Sequence, residues 1–203
     1  MFMHKIGNLL VNTVDSIVIS GFIGVAVLGI YSNYITIQSA VDNTIRLLFS
    51  SLVSVVGHMF VEQNSHVSKK YCDGFHLINF LVGVLFYLGY YAVIDDLIAI
   101  LFGDHLVAEG ALSMVIAVNG FIQFMRCNTL TFRDATGTFY HDRWKPLLEG
   151  MTNLVLSILL VKQIGVTGVI LATILTNIVV CHIVEPYVLY KHAFRISSKV
   201  FFM

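Results

Sequence analysis

Apolar residues gather into long stretches at about 8–30, 33–61, 76–94, 106–125, 147–161 and 164–190. Roughly 20 apolar residues cross a bilayer as helix, so the pattern predicts six transmembrane helices and an all-α membrane protein. The fifth stretch is the shortest. Pro146 precedes it, in the first turn of a helix, where a missing N–H costs nothing. Polar segments at 62–73, 95–105 and 126–145 are expected to lie outside the hydrocarbon, and glycines at 24, 29, 103, 165 and 168 mark turns near the boundaries. No stretch has the composition of a soluble domain or a low-complexity tail. The first apolar stretch is too long for a signal peptide and is read as a retained span.

Composition supports the membrane class. The hydrophobic fraction is 57% and the charged fraction 12%, against roughly 25% charged in soluble proteins. Twelve basic and twelve acidic side chains give a formal net charge of zero, so no global field attracts nucleic acid. Cys72, Cys127 and Cys181 are far apart and show neither disulfide-framework nor zinc spacing.

The basic residues test the span count, because cytoplasmic loops are enriched in Lys and Arg. Lys5, then Lys69 and Lys70, then Arg126, Arg133, Arg143 and Lys145, and finally Lys191, Arg195 and Lys199 all fall on one side of a six-span path. The opposite loops hold only Lys162, and one of them is acidic, with Asp95, Asp96 and Asp104. The expected topology therefore has both termini cytoplasmic. Arg46, the remaining basic residue, belongs to neither side.

Three ionisable residues stand inside predicted spans: Asp15, Asp42 and Arg46. A charge at mid-bilayer costs about 2.5–3.5 kcal/mol on insertion scales, so such groups face a bundle interior or a polar cavity. Asp42 and Arg46 share one helix face with the acid N-terminal to the base, the favourable order for a pair. They form either a self-neutralising packing pair or one wall of a substrate cavity. Asp15 has no partner in its own helix and must meet Arg46, another helix or solvent. Asn12, Ser16, Asn33, Gln38, Ser39 and Asn43 add polar side chains to the first two spans, where they serve helix packing or a polar interior. Glu185-Pro186 is expected to end or kink the last span, as a cytoplasmic helix end rather than a coupling carboxylate. His58 and His182 lack a metal-ligand partner at suitable spacing. No nucleophile–base constellation, HExxH pair, Walker loop or GxGxxG fingerprint occurs, so neither an enzyme nor a bound cofactor is expected.

Two segments carry a family resemblance. Residues 15–34, DSIVISGFIGVAVLGIYSNY, combine an Asp and a β-branched run with a G-x-x-x-x-G-x-Y-S segment. Residues 132–146, FRDATGTFYHDRWKP, lead into NLVLSILLVKQIGVTGVILATILTNIV. Together they resemble the C-terminal half of Wzx-like polysaccharide flippases of the multidrug/oligosaccharidyl-lipid/polysaccharide (MOP) exporter superfamily. The resemblance covers nearly the whole chain, although 64–125 contribute hydropathy alone. It implies a bacterial cytoplasmic-membrane protein moving undecaprenyl-pyrophosphate-linked oligosaccharide between leaflets. It also implies that these six spans form one lobe of a MATE-like, two-lobed transporter. A separate N-terminal lobe or polysaccharide-assembly proteins would then be its partners. In this setting Arg46 attracts phosphate, Asp15 and Asp42 hold the arginine or a coupling ion, and Arg126 and Arg133 either capture the head group at the cytoplasmic mouth or act only as topological signals. The alternatives are drug or cation antiport within the same superfamily and a non-transporting scaffold for polysaccharide assembly.

Overall fold

The computed structural model describes residues 13–62, 65–108, 110–140 and 143–194. Lys5, the start of the first apolar stretch, Arg195 and Lys199 lie outside these residues. Among the described residues the chain is helical throughout, with no strand: α1 (Thr13–Phe22), α2 (Val25–Glu62), α3 (Ser65–Phe102), α4 (Leu112–Ala135) and α5 (Lys145–Thr176). After α5 come a π-type turn (Asn177–Cys181), α6 (His182–Val188) and a second π-type stretch (Leu189–Phe194). Three helical runs, Val25–Met59, Val67–Phe102 and Lys145–Phe194, are long and apolar enough to cross a membrane. The chain thus has the make-up of an all-α membrane protein.

The side-chain distribution fits that solvent. Leu77, Leu81, Leu85 and Leu88 form an exposed apolar row on α3, with Leu85 72% accessible. A continuous apolar face of this kind marks contact with lipid or a partner. Polar side chains turn inward instead, including Asn79, Asn119, Asn128, Asn153 and Asn177. α4 carries several of these, which makes it the most polar of the longer helices. Neighbouring helices are clamped through backbone carbonyls: Asn79 of α3 donates to Phe124 O at 3.2 Å, and Asn128 of α4 donates to Cys72 O at 3.2 Å. Such contacts hold helices together where the hydrophobic effect contributes little.

Consecutive helices run antiparallel. Tyr34 with Asp95 and Tyr87 with Asp42 pair α2 with α3 about a common midpoint near residue 64. Asp95 with Ser113 and Cys72 with Asn128 do the same for α3 and α4. The run from Lys145 to Phe194 is itself a hairpin. Ile164 and Gly165 leave helical geometry, with Gly165 at φ 63 and ψ −142, a region that glycine enters without a Cβ clash. Lys145 then meets Glu185, and Asn153 meets Thr173, across the two arms 145–163 and 166–194. α4 lies between α2 and α3 and also touches the α5 arms. One end of the bundle is packed by Val56, Cys72, Phe132, Leu189, Tyr190 and Phe194. The other is packed by a larger cluster that includes Ile19, Tyr34, Ile98 and Ile116.

The turns and helix ends differ from the hydropathy reading in several places: α3 already starts at Ser65 and α4 runs on to Ala135, within segments expected outside the hydrocarbon. The first hairpin turns at Ile23–Gly24, where Gly24 has φ 125, and not after residue 30. Apolar residues on both sides of so short a turn merge into one hydrophobic stretch. Asp95 is a helical residue of α3, not part of a loop; its carboxylate accepts from Tyr34 Oη at 2.7 Å and Ser113 Oγ at 3.2 Å. The helix also continues through Pro186 to Phe194. π-type turns on either side of Pro186 accommodate its missing N–H.

The α5 hairpin closes tightly. A Cβ on Gly168 would strike the Leu160 carbonyl oxygen, whereas one on Gly21 would meet nothing within 4 Å. Gly168→Ala is therefore expected to cost about 1–3 kcal/mol by overpacking, while Gly21→Ala is neutral or mildly stabilising. Reversible unfolding in detergent or bicelles compares the two, and equal stability of both variants with the parent would contradict the close approach.

Candidate functional site

A polar cleft of about 450 Å³ opens between α1, α2, α4 and the α5 hairpin. Asp15, Asp42, Arg46, Arg126 and Arg133 all line it, so the structure brings every candidate charge into one cavity. From Tyr31 to Arg46 the α2 wall rises about 22 Å at 1.5 Å per residue.

The two carboxylates are held by neutral donors. Asp15 accepts from the Thr173 hydroxyl at 3.0 Å and from Tyr31 Oη at 3.4 Å. Thr173 accepts in turn from Asn153 Nδ2 at 2.9 Å, and Asn153 Oδ1 accepts from Ser157 at 2.8 Å. This chain ties α1 and α2 to both arms of the α5 hairpin. Asp42 accepts from Tyr87 Oη of α3. Arg46 is one turn away and within electrostatic reach of Asp42, yet the two make no ion pair. Among the described residues Arg46 has no ion-pair or hydrogen-bond partner, and it is exposed at the cleft. Asp42 and Arg46 are therefore not joined by a direct ion pair.

Arg126 is placed quite differently. Its Nε and Nη2 donate to Glu185, the latter at 2.6 Å, while Nη1 donates to Asn177 Oδ1 at 2.6 Å and Glu149 Oε1 at 3.3 Å. Lys145 Nζ bridges the same acids at 2.7 Å to Glu149 and 2.6 Å to Glu185. Two cations and two anions thus form a quartet whose formal charge cancels. Glu185 is 1% exposed and Lys145 5%. Ions this deeply buried persist only when mutually paired and hydrogen-bonded. The π-type turn at Asn177–Cys181 contributes by presenting Asn177 to the guanidinium. Arg133 lines the mouth and pairs with Asp134 at 2.9 Å.

Sequence reasoning missed Lys145, Glu149 and Glu185 as members of this site. Lys145 and Glu149 are four residues apart, a spacing that signals a pair on one helix face. Glu185 inside a long apolar run was the other available signal. Nothing local reveals that Arg126, 59 positions from Glu185, joins them. Among the described residues no group of His, Cys, Asp and Glu is arranged to hold a metal ion. Comparison with protein-family models, curated proteins and solved structures yields no match.

The quartet makes a prediction about stability. Glu185→Ala leaves two cations facing one acid and is expected to cost about 3–5 kcal/mol. Arg126→Met combined with Glu185→Leu removes one charge of each sign and leaves the Lys145–Glu149 pair intact. The double variant should recover much of the single loss in the same unfolding measurement. A double-variant loss equal to the sum of the two single losses would contradict a coupled quartet.

Proposed function

We infer that the chain is one six-span lobe of a flippase for lipid-linked oligosaccharides, with Arg46 as the residue that engages the substrate's phosphate. The observation carrying this reading is an arginine that is unpaired among the described residues, in a polar cleft whose two nearby carboxylates are already satisfied by Thr173, Tyr31 and Tyr87. A guanidinium free of carboxylate partners in a polar cleft gains from a divalent or bidentate anion. The substrate's pyrophosphate supplies such an anion, and its sugar head supplies hydroxyls for the amide and hydroxyl groups along the cleft. The resemblance of residues 15–34 and 132–146 to Wzx-like flippases points to the same substrate class.

In this reading the six helical segments are six spans. The ends carrying Lys69, Arg133, Lys145 and Lys191 face the cytoplasm, in keeping with the positive-inside rule. A second lobe completes the far side of the cleft, and rocking of the two lobes exposes the site to each leaflet in turn. Asp15 and Asp42 are positioning residues that fix α1 and α2 around the arginine. Arg126 supports the wall, while Arg133 lies at the mouth, where a phosphate first enters.

The test is flipping of a fluorescent isoprenyl-pyrophosphate saccharide in vesicles or cells containing the chain with whatever lobe accompanies it. Arg46→Ala is expected to lower the initial rate about 10- to 100-fold, the range of one charge-assisted hydrogen-bonded contact. Arg46→Lys should retain part of the rate, and insertion and thermal stability should be unchanged. Equal rates for Arg46→Ala and the parent would overturn the reading. Retained partner binding together with normal export would indicate a scaffold.

A further inference from the structure

A second cavity, of about 580 Å³, lies on the opposite side of α4, between α3, α4 and α6. Arg126 borders both cavities and Glu185 lines this one, so the buried quartet forms the partition between them. The second cavity is graded along its length. Lys69 and Asp73 stand at one end, His76 and His182 midway, and Phe80 and Phe121 at the other, their rings meeting edge-on at 6.0 Å. From Lys69 to Phe80 the α3 wall rises about 16 Å, the scale of a lipid headgroup plus part of an acyl chain. Phe80 is 45% exposed, so the aromatic end opens towards the hydrocarbon.

The charged end is balanced. Lys69 Nζ lies 2.6 Å from Asp73 Oδ2 and 5.8 Å from the Tyr190 ring centroid, and Tyr190 Oη donates to Asp73 Oδ1 at 3.3 Å. The partition behind it is neutral as well, because Arg126 and Lys145 cancel Glu149 and Glu185. An anionic headgroup arriving here would draw Lys69 away and leave Asp73 without its cation. A headgroup carrying both a phosphate and an ammonium exchanges one ion pair for two: Lys69 turns to the phosphate and Asp73 receives the ammonium. Lysine's flexible four-carbon stem permits that swing. His182 donates from Nδ1 to the Asn177 carbonyl at 3.1 Å, and His76 lies 3.5 Å from the Thr129 hydroxyl, so a ring nitrogen of each is already engaged with the bundle.

We propose that this α3–α4–α6 groove is a binding site for an amine-bearing zwitterionic phospholipid, with Asp73 and Lys69 reading the headgroup and Phe80 and Phe121 holding the chain. The site stands apart from Arg46 and does not depend on the transport reading.

Native mass spectrometry of the delipidated full chain, titrated with phosphatidylethanolamine and phosphatidylglycerol of matched acyl chains, tests it. The ethanolamine lipid should bind about tenfold more tightly, the equivalent of one charge-assisted contact. Asp73→Asn should bring the two affinities together, and Phe80→Ala should weaken both alike. Equal affinity of the parent chain for the two lipids overturns the proposal whether or not any variant folds. So does a preference that survives Asp73→Asn.

Discussion

Arg126 and the buried Lys145, Glu149 and Glu185 join α4 to both arms of the α5 hairpin through charge. Removing an ion from water costs several kcal/mol, and only a complete set of partners offsets it. The arms 145–163 and 166–194 must therefore close in the register that brings Lys145 to Glu185, and α4 must present Arg126 at the same level. The π-type turn at Asn177 and the uninterrupted passage through Pro186 follow from this demand, since both keep the returning arm aligned with the guanidinium. With α4 held there, a cavity lies on each side of the quartet.

The cleft on the α2 side depends on a second economy of partners. Asp15 and Asp42 take their hydrogen bonds from hydroxyl groups, so Arg46 is not consumed by its i−4 neighbour. An arginine left this way in a polar cleft is available to an anion, which its guanidinium can hold through charge-assisted hydrogen bonds. The network from Ser157 through Asn153 and Thr173 to Asp15 connects that wall to the α5 hairpin. Movement of the hairpin about Gly165 would thus be felt at α1 and α2, which suits a site that changes its exposure.

Much of this was legible from the chain alone. Apolar stretches and their length indicated helices in lipid, and the isolated charges Asp15, Asp42 and Arg46 pointed to a shared interior. Those signals are local: each rests on one residue whose surroundings in sequence are wrong for it. The remainder is not local. A lysine or arginine beside an apolar stretch reads alike whether it only marks one side of the six-span path, as Lys70 does, or reaches inward, as Lys145 and Arg126 do. Gly24 was marked as a turn glycine, yet the span boundary was set after residue 30, because two residues do not interrupt a hydropathy window. Asp95 was read as a loop residue because its partners Tyr34 and Ser113 lie on two other helices.

The central claim, that the cleft is a solvent-accessible site where an anion meets Arg46, is open to chemical labelling. Ser39 is exposed and lines the cleft, whereas Leu81 lies on the exposed apolar face of α3. Ser39→Cys should react with a charged, membrane-impermeant thiol reagent in membranes and should be protected by an isoprenyl pyrophosphate, with protection lost when Arg46→Ala is added. Leu81→Cys should stay unreactive. A Ser39→Cys variant as inert as Leu81→Cys, or one whose protection is indifferent to Arg46, would contradict the account.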